Sequence, residues 1–144
     1  MKLIEPPKNK FEFLWPDVST EYGRRFARNE GIFALICFFG QYMVRLDEVY
    51  LQIEAGATGL DFNKNVYLIT LAILVFFAWR VYKFGIISSV FGLLIAIGEF
   101  TTLSMNYPSE TALPIWNATM ILLATQGVRA SIAHRRTNRN ANAA

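Results

Sequence analysis

Four blocks of the sequence hold apolar residues too densely for the three-to-four spacing of an amphipathic helix. They cover 31–53, 66–83, 85–107 and 113–132, and VYLITLAILVFFAW at 66–79 is typical of them. A helix rises 1.5 Å per residue, so roughly 20 residues cross a hydrocarbon layer about 30 Å thick. The third and fourth blocks have that length directly. The second reaches it if Arg80 and Lys83 extend toward the headgroups, and the first only if its charged end is included. The pattern predicts an all-α integral membrane protein, four transmembrane helices in a small bundle.

The links between blocks suit that arrangement. RVYKFG at 80–85 places basic residues and a glycine at a helix end, and so short a connection makes the second and third helices antiparallel neighbours. EAGATGLDFNKN carries the Gly, Asp and Asn of a turn. NYPSETALP holds Pro108 and Pro114, with Ser109 as an expected N-cap. Trp15, Tyr67, Trp79, Tyr82, Tyr107 and Trp116 fall near block ends, as an aromatic belt would.

Charge placement adds an orientation. With four spans, both termini and the 80–84 link share one side, and that side holds twelve of the fourteen Lys and Arg residues. Lys64 lies on the far side and Arg45 inside the first block. Such asymmetry places both termini in the cytoplasm, with a bacterial inner membrane as the expected location. The pI near 9.2 then reflects topology, and nucleic acid is not an expected partner. No cleaved signal peptide is expected, because mostly polar sequence precedes the first block. Residues 1–30, with Phe11, Phe13, Leu14 and Trp15 among basic residues, are expected either to lie on cytoplasmic headgroups or to form a partner-binding or merely tethered tail. Residues 133–144 form a basic, Asn-rich tail expected to be disordered.

The polar residues inside the blocks are the candidate site. On a helix, Cys37, Gln41, Arg45, Glu48 and Gln52 fall within about 80° of arc, so the first span has one polar face. Arg45 and Glu48, three apart, are within reach of each other. Arg45 sits about 22 Å into its span and Glu99 about 21 Å into the third, which runs the same way. The two therefore share a depth. Gly85, Ser89, Gly92, Ala96 and Glu99 share a face of small residues, so Glu99 is expected to face protein, where an ionisable group needs a partner. Arg45 is the expected one. The candidate cluster is Gln41, Arg45, Glu48 and Glu99, either an interhelical pair or a site for a cation, proton or polar ligand. In the fourth span, Asn117, Ala124 and Ser131 share a face, with Thr125 and Gln126 elsewhere.

The inventory for catalysis is thin. The single histidine, His134, lies in the tail, and the single cysteine, Cys37, reads as a packing residue. No nucleophile elbow, phosphate-binding loop, zinc-binding helix or paired-cysteine motif occurs. No catalytic residue, metal or cofactor is expected. NAT at 117–119 matches a glycosylation pattern but lies inside a predicted span.

In architecture alone, the basic tail after several short spans resembles phage holins, and four spans with a membrane glutamate resemble small multidrug-resistance transporters. The latter carry their essential carboxylate in the first span, whereas Glu99 lies in the third. The reading is a non-catalytic accessory, scaffolding or assembly subunit that meets the lipid bilayer and other membrane subunits, or self-associates. The alternatives are a small proton- or cation-coupled transporter or pore centred on Glu99, or a holin-like membrane factor.

Overall fold

Thr20 starts the first helix: its hydroxyl accepts from the Gly23 N–H at 2.9 Å, and Glu21 then pairs with Arg25 one turn on. The helix so nucleated runs without a break into the apolar block. In the computed structural model, which describes residues 14–57, 59, 61–106 and 112–142, four helices follow in order. They are α1 (Glu21–Glu54), α2 (Asp61–Tyr82), α3 (Ile86–Asn106) and α4 (Ala112–Ala141). Residues 1–13 of the expected interfacial segment, and the 107–111 link with Pro108 and Ser109, lie outside the described residues.

The architecture is an all-α four-helix bundle. α1 packs chiefly on α4 and α2, α3 packs on α4 and less on α2, and α1 and α3 face each other across the diagonal. The core joins Ala34, Leu35 and Phe38 of α1 with Leu74 and Val81 of α2, Ala96 of α3, and Met120 and Ala124 of α4. Three helices are longer than their apolar blocks, α2 because it starts at Asp61, within the stretch expected to turn. α1 begins at Glu21 because its first turn is capped, and α4 continues through Ala141 where a disordered tail is expected. The reason is packing: the N-terminal end of α1 and the C-terminal end of α4 run side by side, tied by Phe84, which stacks on His134 with ring centroids 4.1 Å apart. Thr137 and Asn138 add bonds back to Ala133 and His134.

Helix count and membrane character part company. Among the described residues one segment, Lys64–Tyr82, is long and apolar enough to cross a bilayer, and Ile86–Thr102 is apolar but shorter. The expectation of four apolar spans is therefore not met as composition. Asp47 and Glu48 near the end of α1, together with Arg45, interrupt its apolar run, and Asn117, Gln126 and Arg129 interrupt that of α4.

Gly85, expected to end one helix or start the next, starts the next: α3 begins at Ile86, and the Gly85 carbonyl accepts from the Ser89 N–H at 3.0 Å. The residue that takes the left-handed conformation at the end of α2 is Phe84, φ 56°. The Gly85 N–H donates to the Arg80 carbonyl and the Phe84 N–H to that of Val81, both at 2.8 Å, which closes a Schellman-type end. Gly85 is needed for clearance instead: a Cβ there would sit 2.8 Å from the Arg80 carbonyl oxygen.

Candidate functional site

Arg45 lies near the C-terminal end of α1 and Glu99 near that of α3, on parallel helices that also meet where Leu35 packs on Gly92. The Arg45 and Glu99 side chains close the gap between them. Arg45 donates from Nη1 to Glu99 Oε1 at 3.0 Å and from Nη2 to Oε2 at 2.8 Å, a bidentate fork. Tyr42, one turn before Arg45, donates its hydroxyl to Glu99 Oε1 at 2.7 Å. The Arg45 guanidinium also lies 5.2 Å from the Tyr42 ring centre, and Tyr67 of α2 meets Tyr42 edge-on. Glu99 is 8% exposed, and its carboxylate is engaged at both oxygens by three donors. The long arginine and tyrosine are what allow a bond across a bundle diagonal.

The other two residues of the expected cluster do not join it. Glu48 is exposed, and Arg45 turns to Glu99 and not to Glu48. Gln41 is half-buried, and its Oε1 is buried without a hydrogen-bond partner. Tyr42 is the member that sequence reasoning missed. Its signal was available: a phenol three positions before an arginine inside an apolar block shares its helix face.

A second set of polar contacts binds α4. Ser89 and Ser131 share a hydrogen bond of 2.9 Å, both buried, which links α3 to α4. Gln126, expected off the face of Asn117, Ala124 and Ser131, is fully buried. Its Nε2 donates to the Leu14 carbonyl at 2.9 Å, and Arg129 lies 3.8 Å from the Trp15 ring centre. So residues 14–16, just before α1, are held against α4. The inward face of α4 is broad because Gly127 meets Gly31 of α1 backbone to backbone. Glu30, beside this contact, has a buried Oε2 with no hydrogen-bond partner. Burial pushes its carboxyl up to about 7, against the pull of Arg129.

The chemistry available at Arg45–Tyr42–Glu99 is that of a closed ion pair. Among the described residues no group of three His, Cys, Asp or Glu side chains converges as a metal site would require. Comparison with protein-family models, with curated proteins and with solved structures gives no match.

Proposed function

We propose that the chain is a small, non-catalytic integral membrane protein. Its four helices cross the bilayer with both termini cytoplasmic, and it serves as an accessory or assembly subunit of a larger membrane complex. The observation that carries the reading is the placement of α2. Only 17% of its apolar window is buried inside the bundle. A core helix of a water-soluble protein hides such a surface, because exposed apolar area costs roughly 25 cal/mol per Å² in water. Here Ile69, Val75, Phe76 and Trp79 point outward on α2, and Ile87, Phe91 and Leu94 on α3. α1 and α4 add Phe33, Ile36, Val44, Ile115 and Trp116 to the same outer surface. Of the polar groups that break the apolar runs of α1 and α4, Gln126 and Asn117 are buried and Arg45 turns to Glu99, while Asp47 and Glu48 are exposed near the end of α1. A bundle with polar contacts inside and an apolar coat is suited to lipid.

The accessory role follows from what Glu99 does. Its carboxylate is committed to Arg45 and Tyr42, so within the chain it fixes α3 against α1. The outward apolar faces are left for lipid and for helices of other membrane chains. Mild extraction of native membranes into nanodiscs tests this. The expected result is a co-isolating membrane protein or a defined oligomer, and a chain that always emerges as a lone monomer overturns the accessory role.

A proton- or cation-coupled route through Glu99 is the second reading, favoured by one observation: the Arg45 side chain keeps 31% exposure, so the pair has an open flank. It requires that Glu99→Gln abolish flux in proteoliposomes while the fold persists. No flux of any tested ion in the wild type removes it.

A further inference from the structure

The extended ends of α1 and α4, with the α2–α3 turn, enclose a cavity of about 460 Å³. Small-ligand sites fall in the range of about 300–1,000 Å³. Arg24, Arg25 and Arg28 line it from α1, His134 from α4, and Tyr82 and Phe84 from the turn. One acid, Glu21, also lines it, and it is already paired with Arg25 at 2.5 Å. Three guanidiniums against one carboxylate leave two positive charges facing the space.

Among the described residues, those charges have neutral hydrogen-bond partners. Arg24 donates to the Ser19 and Val18 carbonyls, and Arg28 to the Asn29 side-chain oxygen and the Tyr82 carbonyl. Hydrogen bonds to carbonyls hold the forks in place without cancelling the charge. The local field acts on the remaining titratable group as expected: burial, then Arg24 and Arg28, hold His134 below its ordinary value.

Phe84 supplies a second, independent observation. An aromatic residue with φ 56° is uncommon, because left-handed backbone crowds the Cβ that glycine lacks. The conformation holds its ring flat on His134 at 4.1 Å and places Arg28 over it at 5.1 Å. The strained residue is thus a wall of the basic cavity. Trp79 and Tyr82, both exposed, lie at this same end of α2, where an aromatic belt meets headgroups.

We propose that this cavity binds the phosphate headgroup of an anionic phospholipid, with Arg24 and Arg28 as the anion-binding residues and Phe84 and Tyr82 as its aromatic wall. The inference rests on the membrane placement proposed above. Basic pockets at the cytoplasmic ends of membrane helices suit this chemistry, because arginine forks match phosphate oxygens and the acyl chains stay in the hydrocarbon.

The test is native mass spectrometry of the full chain in mild detergent, titrated with phosphatidylglycerol, phosphatidylcholine or inorganic phosphate. The wild type is expected to retain phosphatidylglycerol at a concentration at least tenfold below that for phosphatidylcholine. Arg24→Gln with Arg28→Gln should lose that preference, whereas Arg135→Gln with Arg136→Gln, equal in charge but exposed, should keep it. Thr137→Glu sets a carboxylate into the cavity without removing any arginine, so it tests the site even if the double substitution misfolds. It too should abolish the preference. Equal retention of the two lipids by the wild type, or equal loss in both arginine pairs, overturns the proposal. Retention of inorganic phosphate as tight as that of phosphatidylglycerol overturns the lipid assignment and gives the site to a soluble anion. Extraction of the chain from membranes by detergent alone reads the membrane placement separately. A chain that needs detergent but shows no lipid preference sinks only the site.

Discussion

An alanine at Gly31 adds one carbon where α1 and α4 touch. That carbon would lie 2.6 Å from the Gly127 Cα and 3.1 Å from its nitrogen. Carbon atoms settle at about 3.5–4.0 Å, so the helices must part by roughly 1 Å at the crossing. Overpacking of this kind costs about 1–3 kcal/mol, and replacing a helical glycine by alanine returns about 0.5–1 kcal/mol through backbone entropy. The net loss is about 1–2 kcal/mol. Gly127 has no side chain to withdraw, so only backbone movement can relieve the contact. The reciprocal change, Gly127→Ala, brings its Cβ to 3.0 Å from the Gly31 Cα and should cost less. Gly40 and Gly98 have nothing within 4 Å of an added Cβ, which makes them matched controls with the entropic gain and no clash. Thermal unfolding in one mild detergent, followed by circular dichroism, ranks the four. The midpoint should fall by about 3–8 °C for Gly31→Ala, fall less for Gly127→Ala, and hold or rise for Gly40→Ala and Gly98→Ala. A Gly31→Ala midpoint at or above wild type would refute the close crossing and with it the α1–α4 packing.

Three other expectations concern the polar contacts. In a double-mutant cycle, Arg45→Met and Glu99→Gln should each destabilise by about 2–4 kcal/mol, less than for a sealed pair because Arg45 is partly exposed. The double variant should lose at least about 1 kcal/mol less than the sum, and strict additivity in the unfolding midpoints would show that the pair does not couple α1 to α3. Tyr42→Phe leaves the fork intact and removes one donor from Glu99, for an expected loss of about 1 kcal/mol in the same assay; no loss would mean the phenol is not bound there. Glu30 gives a pH dependence. Its folded pKa, about 7, is raised above 4.5, so its contribution is fully present below 4.5 and is lost as pH rises through 7. His134 is lowered, so its contribution is lost as pH falls below its ordinary 6.5, in the opposite sense. The readout is therefore the difference between wild type and Glu30→Gln: the advantage of wild type should shrink between pH 5 and pH 8, and parallel profiles would contradict a buried Glu30.

The helices and the meeting of Arg45 with Glu99 were legible because both depend on simple counts. Apolar runs set the helices, and a fixed rise per residue put the two charges at one depth. What depended on neighbours in space was not legible. Tyr42 shares a helix face with Arg45, but only the third helix makes it a donor to Glu99. Gly31 and Gly127 look unremarkable alone, and each matters because the other faces it. Gln126 lies off the face shared by Asn117, Ala124 and Ser131, and its burial depends on the residues around it in space, which spacing alone does not give. The last turns of α4 read as a polar, disordered tail, yet they continue the helix past the stack of Phe84 on His134, with Thr137 and Asn138 bonding back one turn. Glu48 shows the converse error: a spacing of three suggests a pair with Arg45, yet a fork-shaped partner across the bundle engages the guanidinium at two points.

Membrane placement of the apolar coat is the central claim, and cysteine labelling tests it most directly. In a Cys37→Ser background, Ile73→Cys and Leu94→Cys report the outer faces of α2 and α3, and Arg139→Cys the exposed end of α4. The three are treated with a membrane-impermeant maleimide on inside-out vesicles. The account predicts rapid labelling at 139 and none at 73 or 94 until detergent is added. Labelling of 73 or 94 in intact vesicles at the rate of 139 would contradict it.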